Sequence, residues 1–194
     1  MLSVIILAGG RGTRMGGVDK AQATVNGTRL IDVIFDELSA FSPHQVVVVS
    51  SRAPEVAAEV TVVSEDPPFG GPVAGIAAGA NALPKEGLVA VLSVDAPASP
   101  KLLPRLIEAL ELNPSAKVAV IRAADGYLQP LCALWRSPVL ANALSGLGEC
   151  DGASVRHLLG AVEQVIEVPG DGSEQDYDTV AELNRFAQSQ ISGH

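Results

Sequence analysis

Four short aliphatic runs stand out in the first half of the chain. Each is rich in β-branched residues and is bounded by Gly, Pro, Ser or Asp. The runs cover Ser3–Ala8, Gln45–Ser50, Val60–Ser64 and Leu88–Val94. Runs of this length and composition predict strands that are buried on both faces.

Longer amphipathic stretches lie between and after these runs, and they predict helices. Apolar residues that repeat at helical spacing define the first helix: Leu30, Val33, Ile34, Leu38 and Phe41. Pro72 and Pro100 suit first helical turns, so we predict a second helix through Ala82 and a third through Leu110. Strands and helices that alternate over short connections imply right-handed crossovers and a mostly parallel sheet.

The pattern changes after Asn113. Two further strands, 117–122 and 128–135, are joined through Asp125-Gly126, which is a favourable hairpin turn. Such a hairpin would form a partly antiparallel edge or a lid over a pocket. Helices near 138–147 and 154–159, a strand near 164–168 and a final helix from about Thr179 follow. We therefore predict one α/β domain over 1–194, a Rossmann-like three-layer sandwich with a mostly parallel sheet and an antiparallel hairpin edge.

Composition and charge narrow the class of protein. The chain has 194 residues, of which 47% are hydrophobic and only 4% aromatic, so aliphatic side chains fill one sizeable core. A net charge of -9 argues against nucleic acid as a partner. The two cysteines have no metal-ligand spacing, and no run approaches the ~20 apolar residues of a membrane span. Without a basic leader at its start, the chain is expected to be cytoplasmic.

The loop after the first strand carries the strongest chemical signal. It contains five glycines between Gly9 and Gly17, together with Arg11, Arg14 and Lys20. Glycines at the carboxyl end of a strand let backbone N–H groups approach phosphate oxygens. Three cations within ten residues suit a triphosphate better than a single phosphate.

This loop has three other interpretations: a Walker A loop, a dinucleotide-binding loop and a solvated turn. No register supplies the Walker A pattern, and Met15 stands where a dinucleotide fingerprint requires its third glycine. A solvated, glycine-rich turn with incidental arginines is the remaining alternative. The loop composition and its position after a buried strand together favour the triphosphate.

Asp95 follows the buried strand Leu88–Val94, so its carboxylate is expected at the same sheet edge as the loop. A carboxylate there can hold Mg²⁺, which prefers oxygen ligands and would neutralise charge on the α-phosphate. The alternative is a turn or cap aspartate ahead of Pro97. For Lys20 the alternative to a phosphate contact is an ordinary surface lysine.

The run LAGGRGTRMGGVDK resembles the signature of nucleotidyltransferases related to the molybdenum cofactor guanylyltransferases, the MobA family. Four further segments are similar to motifs of that family and occur in the same order. They are 65–66 with 70–75, 93–97, 129–135 and 176–179. The resemblance covers nearly the whole chain and implies the fold of the nucleotide-diphospho-sugar transferases.

The resemblance also implies roles for single residues. Lys20 would lie over the phosphates, Arg11 and Arg14 would contact the β- and γ-phosphates, and Asp95 would hold the metal. The remaining contacts to the phosphates and the base of the nucleotide would come from Leu7, Ala8, Gly9, Gly10, Gly12, Thr13 and Asp66. The family's cytidylyltransferase relatives tend to carry alanine where this chain has Gly9, so the missing methyl favours GTP over CTP. Asp66 would accept hydrogen bonds from guanine; its alternative is a turn residue.

Two aspartates near the C-terminus are further candidates. Asp176 and Asp178 would face one side of an extended segment and could supply a second carboxylate to the metal or to the acceptor phosphate. Asp178 could instead cap the final helix. Arg156 lies in the later half of the chain, where the family binds its pterin substrate.

The reaction implied by the resemblance transfers GMP from Mg·GTP to the terminal phosphate of molybdopterin cofactor and releases pyrophosphate. Residues of about 1–112 would bind the nucleotide, and about 113–188 would shape the acceptor site. Transient contacts with cofactor-delivery or acceptor proteins are expected. The alternatives are a related cytidylyltransferase or sugar-phosphate nucleotidyltransferase, a non-catalytic nucleotide-binding regulator, and an NAD-dependent oxidoreductase.

Overall fold

The computed structural model describes residues 1–9, 22–51, 60–66, 68, 70–177, 179 and 182. Within these ranges the strands are β1 (Leu2–Leu7), β2 (Thr24–Val25), β3 (Thr28–Arg29), β4 (Gln45–Val49), β5 (Thr61–Val63), β6 (Leu88–Ser93), β7 (Val118–Arg122), β8 (Leu128–Arg136) and β9 (Val165–Pro169). The helices are α1 (Leu30–Ser39), α2 (Pro72–Asn81), α3 (Leu103–Leu112), α4 (Ser137–Leu147) and α5 (Val155–Gly160).

Seven of these strands form one sheet in the order β5-β4-β1-β6-β8-β7-β9. The four aliphatic runs of the first half pair in parallel, with β1 between β4 and β6. Strand β8 is antiparallel to both of its neighbours, β6 and β7, and β9 returns parallel to β7. The predicted class, a mostly parallel α/β sheet with an antiparallel hairpin, is confirmed. Because β9 pairs beyond β7, the hairpin lies one strand inside the edge of the sheet.

Helices cover both faces of the sheet and complete three layers. The apolar stripes of α1 and α3 pack on one face, where Leu30, Ile34 and Leu106 are fully buried. Helices α2, α4 and α5 pack on the other face, around Ile76 and Trp135. Both faces of the central strands are therefore buried, which explains why their sequences are continuous aliphatic runs rather than alternating ones.

The third helix begins later than its proline suggests. Pro100 lies in a 3-10 turn, Ser99–Leu102, and α3 starts at Leu103 with Pro104 in its first turn. Both prolines thus occupy positions where the missing N–H has no intrahelical partner to lose. No helix in the described part of the chain is long and apolar enough to cross a membrane.

Helix α2 lies unusually close to the central strand because its inner face carries glycines. A Cβ at Gly79 would stand 2.8 Å from Cγ2 of Ile5. A Cβ at Gly75 would stand 3.2 Å from Cδ2 of Leu7 and 3.4 Å from Cγ1 of Val49. The close approach places the N-terminus of α2 beside the ends of β1 and β4.

Gly79→Ala is expected to lower the free energy of unfolding by up to about 2 kcal/mol, although alanine is the better helix former. The helix preference of alanine contributes about 1 kcal/mol, and forcing a methyl against Ile5 costs about 1–3 kcal/mol. Gly146→Ala is the matched control, because Gly146 is exposed on α4 and its Cβ would meet nothing within 4 Å. Denaturant unfolding should show a loss for the first variant and a gain of up to about 1 kcal/mol for the second; equal gains would contradict the close packing.

Candidate functional site

A cavity of about 320 Å³ opens at the carboxyl ends of the parallel strands. Three adjacent strands end there, at Leu7, Val49 and Ser93. Backbone hydrogen bonds between these strands continue one residue beyond β1 and β6. Ala8 N donates to Val49 O at 2.9 Å, and Val94 N donates to Leu7 O at 3.0 Å. The cavity is lined by Leu7, Gly9, Val49, Glu65, Gly71, Pro72, Gly75, Ser93, Asp95 and Leu131. Parallel α/β sheets bind their ligands at this edge.

Asp95 lines this cavity, two residues beyond β6, and is half-buried. A tight turn follows the strand, in which Ala96 N donates to Ser93 O at 3.1 Å. This turn directs the chain back over the strand end and leaves the carboxylate in the cavity wall. A carboxylate at this position is a suitable ligand for Mg²⁺, which prefers oxygen ligands and keeps several waters. Within the described residues, His, Cys, Asp and Glu form no cluster of three or more that could hold a metal by itself.

The C-terminal aspartate segment meets Asp95 although it is far from it in sequence. The backbone N–H of Tyr177 donates to the carbonyl oxygen of Asp95 at 2.9 Å. Tyr177 is buried, which raises the pKa of its hydroxyl, and the charge of Asp176 raises it further. Asp176 itself is exposed. The backbone of this segment thus lies beside that of Asp95, and a carboxylate role for Asp176 or Asp178 stays a prediction.

A capping box follows this segment. Thr179 N donates to Glu182 Oε2 at 3.0 Å, and Glu182 N donates to Thr179 Oγ1 at 3.3 Å. This reciprocal pair is the arrangement found at helix N-termini, and it gives the cap position to Thr179. The sequence left open a helix cap at Asp178, and Thr179 supplies this cap instead.

Several candidates lie outside the described residues. They are Gly10, Arg11, Gly12, Thr13, Arg14 and Lys20 of the loop, and Asp178. Their roles stay predictions. Of the described loop candidates, Leu7 and Gly9 line the cavity, whereas Ala8 is buried in the core on the α1 side of the sheet.

The two acidic residues after β5 differ in their exposure and in whether they line the cavity. Glu65 is half-buried and lines the cavity, whereas Asp66 is exposed and is not among the lining residues. The family motif covers both residues, and the resemblance implied a role for Asp66 alone. Alternation along a strand could have found Glu65, since this residue lies two residues after Val63, whose side chain packs on the cavity side of the sheet.

A second cavity of about 470 Å³ lies on the same side of the sheet, between the β7–β8 hairpin and α5. The Arg156 guanidinium lies over the Tyr127 ring, 5.8 Å from its centroid, and Tyr127 is 61% exposed. Arg122 on β7 forms a bidentate ion pair with Glu167 on β9. The side-chain hydrogen bond from Arg122 lowers the pKa of Glu167 and raises that of the guanidinium. Leu128, Leu159, Val162 and Val165 supply apolar walls.

The thiols offer little nucleophilic chemistry. Burial raises the pKa of Cys132 to about 12, and the charges of Glu174 and Asp171 add to the effect. The thiol is therefore protonated at neutral pH, and it is a core residue on the α1 side of the sheet.

Comparison with known proteins gives concordant results in sequence and structure. A family model described as MobA-like NTP transferase domain matches residues 4–166. A molybdenum cofactor guanylyltransferase of Ectopseudomonas mendocina is 37% identical over 142 residues, which span 72% of this chain and 68% of that protein.

Solved structures share the fold. A molybdopterin-guanine dinucleotide biosynthesis protein A from Archaeoglobus fulgidus superposes with a TM-score of 0.73 at 22% identity, over 99% of this chain and 100% of that one. A 4-diphosphocytidyl-2C-methyl-D-erythritol synthase from Anaerococcus prevotii has a TM-score of 0.72 at 17% identity, over 99% of this chain and 98% of that one. The fold is thus common to proteins named for guanine and for cytidine nucleotides.

Proposed function

We propose that this chain, which belongs to the family of MobA-like NTP transferase domains, transfers GMP from Mg·GTP to the terminal phosphate of molybdopterin cofactor. Pyrophosphate is the second product. The resemblance noted in the sequence is confirmed, and the chain is a nucleotidyltransferase. The relative from Ectopseudomonas mendocina, by its name, acts on molybdenum cofactor as a guanylyltransferase, and the proposal extends that activity to this chain.

One observation carries the proposal: Gly9 and Asp95 line a single cavity at the carboxyl edge of the sheet. The glycine-rich loop and the acidic D-x-P segment are 86 residues apart in sequence, yet their first members meet there. Such a pair supports a ligand that uses backbone amides and a carboxylate-bound cation together. A nucleoside triphosphate with Mg²⁺ satisfies both.

The residues of the chain would act by alignment and by charge. The attacking group is a phosphate that is already anionic, so no protein base is needed. Asp95 would hold Mg²⁺, which would supply positive charge at the α-phosphate. Lys20, Arg14 and Arg11 neutralise the departing pyrophosphate, and Asp95 fixes the position of the reacting phosphate relative to the strand ends.

The later half, about 113–188, is proposed to hold the acceptor. The second cavity offers an exposed aromatic ring, apolar walls and the Arg156 guanidinium on the same side of the sheet as the first. A flat heterocycle with an anionic substituent suits such a surface. A backbone hydrogen bond of 2.8 Å from Gly152 N to Gly70 O ties the segment before α5 to the segment before α2. This hydrogen bond connects a segment beside the second cavity with a segment beside the first.

Thermal stabilisation by nucleotides with Mg²⁺ tests the base assignment. GTP should raise Tm more than CTP at equal concentration, and pyrophosphate should be released only when a molybdopterin acceptor is added. A larger shift with CTP would favour the related cytidylyltransferase. Binding of GTP without pyrophosphate release in the presence of acceptor would favour a non-catalytic regulator.

Gly9→Ala probes the base assignment within the protein. A Cβ at Gly9 would meet Val49 O at 3.7 Å and Ser50 Cα at 4.0 Å, which are ordinary contacts, so the fold should tolerate it. If the missing methyl makes room for a purine, GTP affinity should fall about tenfold, because one methyl in a pocket changes binding by about 1–3 kcal/mol. CTP affinity should change less. Equal losses for both nucleotides, measured by titration, would contradict a role for Gly9 in choosing the base.

A further inference from the structure

A buried carboxylate that the reaction chemistry does not use lies in the segment after β9. Among the residues that the structure describes, Glu174 is the only charged residue that is buried, with 6% of its surface exposed. Its Oε2 atom accepts hydrogen bonds from two backbone N–H groups, at 3.2 Å from Asp171 N and 2.9 Å from Gly172 N. Hydrogen bonds to an ionised acceptor are stronger than bonds between neutral groups. Glu174 therefore holds the turn over 171–174 in one conformation.

A glycine makes room for this carboxylate. A Cβ at Gly170 would overlap the carboxylate of Glu174. The backbone at Gly170 does not have a positive φ, so its conformation alone would accept alanine. The close approach of the Glu174 carboxylate is thus the reason that glycine suits this position.

The turn leads from the edge of the sheet to Asp95. Strand β9 lies at that edge, three positions from β6, which corresponds to about 14 Å. The segment 170–177 covers this distance and ends at Tyr177, which is buried in the core on the α1 side of the sheet. Burial and, to a smaller extent, the charge of Glu174 raise the pKa of Cys132 on the intervening strand β8. Glu174 therefore lies close to the strand that separates β7 from β6.

The peptide group between Asp95 and Ala96 is hydrogen-bonded at both of its ends. Tyr177 N donates to its carbonyl oxygen at 2.9 Å, and its own N–H, which belongs to Ala96, donates to Ser93 O at 3.1 Å. Because a peptide group is planar, these two bonds fix its orientation. They thereby fix the backbone from which the Asp95 side chain extends. A displaced Tyr177 would release one end of this peptide group.

We propose that Glu174 is a positioning residue for the metal site. By holding the turn that brings Tyr177 to the Asp95 carbonyl, it keeps the Asp95 carboxylate in place to bind Mg²⁺. This role rests on the proposed function, in which Asp95 binds the metal of Mg·GTP. Loss of a group that orients a metal ligand directly typically lowers metal affinity by about 10–100-fold. Glu174 acts through one more residue, so we expect a smaller effect, of at least about threefold.

The experiment measures the Kd of GTP with Mg²⁺ and with EDTA, and the Mg²⁺ concentration that gives half-maximal pyrophosphate release. Glu174→Ala should raise that concentration and reduce the gain in GTP affinity on adding Mg²⁺, each at least about threefold. Its affinity for metal-free GTP should equal that of the wild type. Glu174→Gln should restore both values, because its amide oxygen also accepts from backbone N–H groups. Gly170→Ala should act like Glu174→Ala, because its methyl displaces the carboxylate.

Arg136→Ala is the matched control, since it also removes side-chain hydrogen bonds to the backbone. Arg136 Nε donates to Ala116 O at 2.9 Å, and Arg136 pairs with Leu88 at the other end of β6 from the cavity. This variant should lower Tm without changing either Mg²⁺ value. An equal change in the control would overturn the role of Glu174, because a general loss of stability would then explain the effect.

Further outcomes separate this role from the proposed function. If Asp95→Asn removes the Mg²⁺ dependence of GTP binding but Glu174→Ala keeps the wild-type values, the positioning role is overturned and the proposed function stands. Equal losses in Glu174→Ala and Glu174→Gln would overturn the role of the carboxylate as a hydrogen-bond acceptor. Should Glu174→Ala not fold, wild-type Mg²⁺ values in Gly170→Ala overturn the role on their own. If the wild type binds GTP equally with Mg²⁺ and with EDTA, the metal role of Asp95 is wrong and that of Glu174 falls with it.

Discussion

Asp95→Asn is expected to slow turnover by at least about 10²–10³ while the protein remains folded. The substitution keeps the shape of the side chain and removes the charge that would hold Mg²⁺ at the α-phosphate. The hydrogen bond from Tyr177 N is accepted by the backbone carbonyl of residue 95, so it survives the substitution. The loss should therefore fall on the chemical step rather than on the fold.

Steady-state release of pyrophosphate at saturating Mg·GTP and acceptor measures this effect. Asp36→Ala is the matched control, because Asp36 is exposed on α1, on the opposite face of the sheet from the cavity. The control should retain wild-type turnover and Tm. Turnover of Asp95→Asn within a few-fold of wild type would remove Asp95 from the metal site.

Lys20→Ala has the second large expected effect, again a loss of about 10²–10³ in turnover. The reason comes from the sequence: Lys20 is the last of three cations in a glycine-rich loop that begins at the carboxyl end of β1. A positive charge over the triphosphate opposes the negative charge that develops as pyrophosphate leaves. Removing it should lower kcat more than it raises the KM for GTP.

Lys101→Ala is the comparison for that variant. Lys101 pairs with Glu37 at 3.1 Å on the surface, and such a pair contributes about 0–1 kcal/mol of stability. It should leave kcat and KM unchanged. If Lys20→Ala retained wild-type kcat, Lys20 would be an ordinary surface lysine, the alternative that the sequence itself left open.

Much of the fold could be predicted because local pattern and tertiary environment agree. The aliphatic runs that become β1, β4 and β6 are buried on both faces, as expected for central strands of a sheet that helices cover on both sides. The Asp125-Gly126 turn predicted the β7–β8 hairpin, and Gly126 takes a positive φ of 87° there. The pairing of β9 with β7 was not predictable, since it depends on a long-range contact that no local pattern encodes.

The candidate site was predictable where a residue ends a strand. Gly9 and Asp95 follow β1 and β6, and adjacent parallel strands necessarily end at one edge, so their meeting follows from topology. Glu65 and Asp66 show the limit of motif recognition, because a matched pair does not say which member faces inward. The folded structure shows that Glu65 lines the cavity and that Asp66 is exposed.

The second cavity could not be predicted from the sequence, because its residues come together only through tertiary packing. Arg156 approaches Tyr127 only because α5 packs beside the hairpin, and the two residues are 29 positions apart. No periodicity links them. Arg156 was named from family resemblance alone, whereas the structure supplies the aromatic ring and apolar walls around it.

A crystal structure of the protein with Mg²⁺ and a non-reactive GTP analogue is the most direct test of the account. We predict the metal bound to Asp95 and the phosphates against the chain between Gly9 and Lys20. An analogue bound elsewhere on the molecule, or one whose base rather than its phosphates lies at Asp95, would contradict it.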